Sequence, residues 1–196
     1  MGAGPLLVVL TGPSGAGKDA ILAELSARAE RYHIAVNATT RPPRAGERNG
    51  ADYHFVTQEE FQRMLRDGEF LEHAQVYGQE KGVPRAPIRQ ALARGQDVLV
   101  RTDIQGARTI KHLVPAALTI FVAPPSEAEL KRRVSSRGAD TAEQIELREK
   151  IAREEMKASE SFDYRVVNDD LAKCADEIEA IMSRERSRPG RKTVRM

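Results

Sequence analysis

The first strong pattern along the chain is an unbroken apolar run, Leu6-Leu7-Val8-Val9-Leu10. With no polar alternation, it predicts a central parallel strand covered on both faces. Beyond a glycine-rich stretch, Ile21, Leu22, Leu25 and Ala29 recur at helical spacing and predict a helix with one buried face. Extended runs follow at Tyr53-His54-Phe55-Val56, Phe70 to Val76, Val98-Leu99-Val100, Leu118-Thr119-Ile120-Phe121-Val122 and Arg165-Val166-Val167. Helix starts are marked by Thr57-Gln58-Glu59-Glu60, by Ser126-Glu127-Ala128-Glu129 and by Thr141 near Asp140. In each, a side-chain oxygen at the cap can accept an amide N–H that the first turn leaves unpaired. The Thr57 helix carries Phe61, Met64 and Leu65 and stops near Gly68; a last helix spans about Leu171 to Met182. This alternation predicts an α/β fold around a mainly parallel sheet flanked by helices.

Two regions break the rhythm. Residues 36–86 hold polar-interrupted strands and one helix, which predicts a small β-rich lobe. Residues 126–158 are charged and helical, with Arg132, Arg133, Arg137 and Arg148 among them. A segment that buries so little apolar surface suits a mobile lid, although charge content by itself describes an ordinary solvated helix face. The remaining pieces, about 1–35, 87–125 and 159–185, would form one core, followed by a basic tail at 186–196.

Composition narrows the setting. At 196 residues, with 40% apolar and 31% charged positions, the chain fits one globular domain. No apolar stretch approaches the roughly 20 residues that cross a bilayer, and Met1-Gly2-Ala3-Gly4-Pro5 lacks a basic leader region. Cys174 is the only cysteine, which excludes an intrachain disulfide and a zinc cluster. A cytoplasmic setting and no membrane partner are expected. The net charge of +2 gives no argument for nucleic acid. Residues 184–192 are locally basic and could touch a polyanion, but a solvated, frayed terminus is the favoured expectation.

Chemistry enters at Gly12-Pro13-Ser14-Gly15-Ala16-Gly17-Lys18-Asp19. Strand, glycine loop and helix come in the order of a phosphate-binding loop, Gly-x4-Gly-Lys-Ser/Thr, in every position but the last. Backbone N–H groups of such a loop converge on phosphate oxygens, and the helix N-terminus adds partial positive charge. Lys18 would reach the β- and γ-phosphates of a nucleoside triphosphate. Asp19 stands where a magnesium-binding hydroxyl is expected. A second polyanion site is suggested by Thr39-Thr40-Arg41-Pro42-Pro43-Arg44, where two prolines stiffen a segment carrying two guanidinium forks. Tyr53 could complete a phosphate cradle or be a half-buried strand tyrosine.

These motifs, together with Asp52-Tyr53-His54-Phe55, Gly68-Glu69-Phe70-Leu71-Glu72, Asp103-Ile104-Gln105-Gly106-Ala107 and Val167-Asn168-Asp169-Asp170, closely resemble guanylate kinase in order from about residue 6 to 183. The resemblance implies a P-loop nucleoside monophosphate kinase with a core, a GMP-binding lobe and a helical lid. It implies Mg²⁺-dependent transfer of the ATP γ-phosphoryl group to GMP or dGMP, in a monomer or homodimer. Residues 12–19, Arg133 and Asn168 would bind ATP, with Asn168 near the adenine. Arg41, Arg44 and Tyr53 would hold the acceptor phosphate, and Glu72 the guanine. Asp103 would lie near metal and acceptor, and Arg137 and Arg148 would close on the transferred group with Lys18 and Arg44. Because the acceptor phosphate is itself an anionic nucleophile, no general base is assigned.

Several positions depart from the common family pattern. Asn37 and Val83 stand where guanine-contacting hydroxyls are frequent, Lys81 where a phosphate-binding tyrosine is common, and Arg101 where an acid precedes Asp103 by two. With Asp19, the set resembles a branch found in plant organelles, cyanobacteria and some other bacteria. Asp19 would contact Mg²⁺ directly or through water, or else cap or salt-bridge locally; Asp103 would meet the metal through water. Two rivals are a ribose 1,5-bisphosphate phosphokinase, which also resembles this family and carries Gly-Lys-Asp, and a non-catalytic guanylate-kinase-like binding module.

Overall fold

The computed structural model describes residues 4–28, 32–76, 78–135 and 155–196. In chain order its elements are β1 (Leu7–Thr11), α1 (Lys18–Arg28), β2 (Tyr32–Ile34), β3 (Ala38–Thr39), β4 (His54–Phe55), α2 (Gln58–Arg66), β5 (Phe70–Val76) and β6 (Gln79–Pro84). There follow α3 (Arg85–Ala93), β7 (Asp97–Arg101), α4 (Ile104–Leu113), β8 (Leu118–Ala123), α5 (Glu127–Ser135), a 3-10 turn at Ala158–Ser161, β9 (Tyr164–Val167) and α6 (Leu171–Ser187).

The apolar run becomes β1, the middle of a five-stranded sheet in the order β2-β7-β1-β8-β9. All its pairings are parallel. Successive side chains of a strand point to opposite faces, and β1 feeds two cores accordingly. Val8 and Leu10 pack with Ile21, Leu22 and Leu25 of α1 and Cys174, Ile178 and Met182 of α6. Leu7 and Val9 pack with Ile88 of α3 and Ala107 and Ile110 of α4. Burial pushes the Cys174 thiol up to about 11, so it behaves as a small apolar residue rather than a nucleophile.

Residues 36–86 build a second sheet, β4-β3-β6-β5. It is mixed: β3 pairs parallel with β4, and β6 runs antiparallel to β3 and β5. Phe61 of α2 stacks on Phe70 of β5 with ring centroids 4.6 Å apart, which ties the helix to the sheet. The capping reading holds at Thr57, which accepts from the Glu60 N–H at 3.2 Å, and at Ser126, which accepts from Glu129 at 3.1 Å. The helix start read at Thr141 lies outside the described residues.

The tail differs from its expectation as a frayed terminus. α6 continues to Ser187, with Glu185 accepting from the Tyr164 hydroxyl at 2.8 Å and Arg186 paired with Asp97. Val194 and Met196 pack against the core on the α3–α4 face of the sheet. Local charge suggested solvent, but two apolar residues near the end supply a docking face.

In the parallel sheet the carboxyl ends of β1, β7, β8 and β9 share one edge. That edge brings together residues 12–19, 101–103 and 168, at the kind of crevice where open α/β sheets bind ligands.

Candidate active site

The glycine loop between β1 and α1 is held from two sides. Gly12 has φ 134°, and a Cβ there would lie 2.2 Å from the Val122 carbonyl oxygen. Gly17 has φ 91°, and its Cβ would meet Asn168 Nδ2 at 2.3 Å. Both positions therefore need glycine for conformation and for space. Asn168 is buried and donates Nδ2 to the Ala16 carbonyl at 2.8 Å. The sequence resemblance puts it near an adenine; its amide here braces the loop. Across Ser14 and Gly15 the turn closes by Ala16 N–H to the Pro13 carbonyl at 3.1 Å. Lys18 Nζ arches back onto the loop, donating to the carbonyls of Gly12 at 2.6 Å and Pro13 at 3.1 Å. Arg133 on α5 bonds Glu129 at 2.6 Å and the Asn168 carbonyl at 3.1 Å. It thus borders the same loop.

Opposite this loop lies the β-rich lobe. Glu72 on β5 is 5% exposed and accepts from the Thr102 hydroxyl at 3.3 Å. Burial, aided by the charge of Asp103, pushes its carboxyl up to about 7. Gly106 lets α4 approach: a Cβ there would fall 2.1 Å from Thr102 Oγ1 and 2.6 Å from Glu72 Oε1. Asp103 caps α4, accepting the Gly106 N–H at 2.8 Å. Lys81 on β6 is held below the usual lysine range, mainly by burial. Asn37 donates to the Arg101 carbonyl at 2.8 Å, and Val83 is buried in the adjoining wall. Gly12, Ser14, Lys18, Asp19, Asn37, Tyr53, Glu72, Lys81, Val83, Arg101 and Asp103 line one cavity of about 160 Å³.

The proline-braced arginines do not stand alike. Arg41 is buried and forks onto Glu47 at 2.7 and 2.6 Å, with its guanidinium 4.9 Å from the Tyr53 ring centroid. The Arg41 guanidinium holds the Glu47 carboxyl down to about 2. Arg44 is exposed and donates only its backbone N–H to Glu47, at 2.7 Å. Glu47 escaped the sequence reading, although a carboxylate among Arg41, Arg44 and Arg48 was the available signal.

Asp19 and Arg101, two of the positions that depart from the common family pattern, meet directly. Arg101 Nη1 lies 2.7 Å from Asp19 Oδ1. Of the two readings of Asp19, a local salt bridge is therefore present. Glu155 was also missed. It lines the cavity beside Lys18 and Gly15, close enough to the Ser14 N–H for that amide to favour its charged form. Burial pushes its carboxyl up to about 7 against the pull of Lys18. A carboxylate thus sits at an amide of the anion cradle. Arg137 and Arg148 lie outside the described residues.

The arrangement is one cavity with a glycine loop and its lysine on one wall and a buried carboxylate with cations on the other. No helix among the described residues is long and apolar enough to cross a membrane. Comparison with known proteins gives the same picture over almost the whole chain. The guanylate kinase family model matches residues 5–185. A guanylate kinase of Clostridioides difficile (strain 630) is 45% identical over 186 residues, covering 95% of this chain and 91% of that protein. One of Synechococcus sp. (strain JA-3-3Ab) is 44% identical over 176 residues, covering 90% and 81%. The crystal structure of guanylate kinase from Anaplasma phagocytophilum matches with a TM-score of 0.82 at 33% identity, covering 97% of this chain and 90% of that one. With the loop, the facing lobe and these matches all in register, the chain belongs to the guanylate kinase family.

Proposed function

We propose that this chain transfers the γ-phosphoryl group of ATP to GMP, giving ADP and GDP. The observation that carries the reading is the glycine loop with Lys18 facing Glu72, Lys81 and Tyr53 across one cavity. Phosphoryl transfer asks little covalent chemistry of a protein; in-line positioning and charge neutralisation supply most of the rate. In this reading residues 12–18 bind the triphosphate, which displaces Glu155 from the Ser14 N–H. Arg41, Arg44, Tyr53 and Lys81 bind the acceptor phosphate, and Asn37, Val83 and Asp103 line its pocket. Arg133, Arg137 and Arg148 belong to the closing lid at 126–158. The lobe at 36–86 and the lid move on the core formed by 1–35, 87–125 and 159–185, excluding water from the transferred group. ADP release measured with GMP, dGMP, AMP, IMP and ribose 1,5-bisphosphate tests it. GMP and dGMP should turn over well. Preference for ribose 1,5-bisphosphate would install the rival kinase, and no turnover at all the binding module.

Glu72 reads guanine as an ionised acceptor for N1–H and the 2-amino group, so affinity should depend on pH. Its free carboxyl titrates at about 7, above the ordinary 4.5, and the base binds only the deprotonated form. Affinity therefore rises as pH increases through 7 and falls about tenfold per unit below it. Guanosine titrations from pH 5.5 to 8.5 check this without the acceptor phosphate titrating. In Glu72→Gln the slope should vanish together with most of the affinity.

The donor set also suits magnesium, a hard ion that binds through one or two carboxylates plus phosphates. Among the described residues no group of three or more His, Cys, Asp or Glu could hold a metal by itself, so phosphates and water would complete the shell. Asp19, 61% exposed with Oδ1 on Arg101, and Asp103, through a water, would hold it. When bound, the ion would offset negative charge on the phosphates. Calorimetric ATP titrations should lose at least about tenfold less affinity on Mg²⁺ removal in Asp19→Ser than in the wild type. Equal losses would remove Asp19 from the metal site. Asp19, Lys81 and Arg101 support assigning the chain to the branch of the family found in plant organelles, cyanobacteria and some other bacteria.

A further inference from the structure

Arg101 is a single cation that touches both halves of the site. It ends β7, whose backbone pairs with β1 at Leu10, and its carbonyl accepts from Asn37. The guanidinium therefore grows from the end of a strand fixed against β1. One nitrogen, Nη1, bonds Asp19 at the start of α1 at 2.7 Å. The other, Nη2, donates to the Asp52 carbonyl in the β-rich lobe. Arg101 Cζ lies over the Tyr53 ring, 4.4 Å from the centroid. Three contacts in three directions use the fork and the flat face of arginine together.

Stability does not account for this arrangement. Arg101 is 14% exposed but Asp19 is 61% exposed, and an ion pair with one side this wet adds little to folding. What the contacts do is fix geometry. Asp19 neutralises and orients Arg101, and Arg101 in turn supports Tyr53 and the Asp52 backbone. Asp19 and Tyr53 share no hydrogen bond or ion pair; the arginine is the link.

We infer that Arg101 is a positioning residue that couples the donor loop to the acceptor lobe, so that a change at Asp19 is felt by the ligand held at Tyr53. The inference rests on the acceptor reading above. Coupling of this kind is a difference in binding free energy and is reciprocal between the two sites. It works through the orientation of one planar group, so a lysine, with the charge but without the fork, does not replace it.

The test is calorimetric binding of GMP to the full chain without ATP or Mg²⁺, which removes any metal effect of Asp19. In the Arg101 protein, Asp19→Asn should weaken GMP about three- to tenfold, although Asp19 belongs to the donor side. In an Arg101→Met background the same change should shift GMP affinity less than twofold. Arg101→Lys should behave as Arg101→Met, and it also serves if the methionine variant folds poorly, as thermal melts will show. No effect of Asp19→Asn on GMP, or an equal effect with and without Arg101, overturns the coupling. If the wild type binds no GMP, the acceptor reading itself fails, a different result from normal binding without coupling.

Discussion

Lys18→Met should lower kcat for GMP-dependent ATP consumption by about 10³-fold, the scale set by removing one preorganised charge from a transferring group. Methionine keeps much of the length and apolar stem and deletes only the ammonium. In the free protein that ammonium donates to the carbonyls of Gly12 and Pro13, which arches it over the loop. When phosphates enter, it exchanges partly solvated carbonyl contacts for phosphate oxygens whose charge changes during transfer. The loop's shape rests on other contacts, among them Asn168 on Ala16 and the turn closed at Pro13. The melting temperature should therefore move by no more than about 2 °C. Steady-state turnover alongside a thermal melt checks both statements. Activity within tenfold of wild type would remove Lys18 from the reacting phosphate.

Gly12→Ala is expected to destabilise the chain by about 3 kcal/mol, through strain and collision together. The residue sits at φ 134°, and the new methyl would lie 2.2 Å from the backbone oxygen of Val122. A backbone atom in the middle of a buried parallel sheet cannot rotate aside as a side chain can. Relief has to come from moving the loop away from β8, which also spoils its amide cradle. A loss of about 10 °C in melting temperature should accompany loss of ATP binding. Gly46→Ala provides the comparison. It has φ 85° with nothing within 4 Å of its Cβ, so only the conformational cost of about 1 kcal/mol remains. Equal melting shifts in the two variants would show that the contact with Val122 has no role.

Much of the fold was legible because its signals are local. An unbroken apolar run announced β1, caps at Thr57 and Ser126 announced their helices, and the glycines announced the loop. The short strands β2 and β3 and the helices α3 and α4 were not named from sequence. Two or three residues of strand carry almost no periodicity, and α3 opens at Pro84 without a side-chain cap. The site was legible as an inventory and illegible as a set of pairings. Arg41 and Arg44 read as equivalent forks, yet Glu47 occupies one and leaves the other exposed. Asp19 and Arg101 read as separate departures, and only the sheet, by setting β7 beside β1, makes them neighbours. Glu155 follows a strongly charged stretch in which a further acid carries no information; its place beside the Ser14 N–H is a tertiary fact.

The ion pair between Arg41 and Glu47 alters how the acceptor pocket looks from a distance. A guanidinium already matched by a carboxylate projects little field into solution, so on the proposed reading the long-range pull on an approaching dianion would come mainly from exposed Arg44. On the proposed reading Arg41 would enter later, by ion exchange, a phosphate taking the fork as Glu47 swings out and is hydrated. The buried guanidinium would then always keep an anion beside it. Capture and grip would thus be divided between two arginines three residues apart in sequence, one suited to the rate of arrival and the other to the fit on contact.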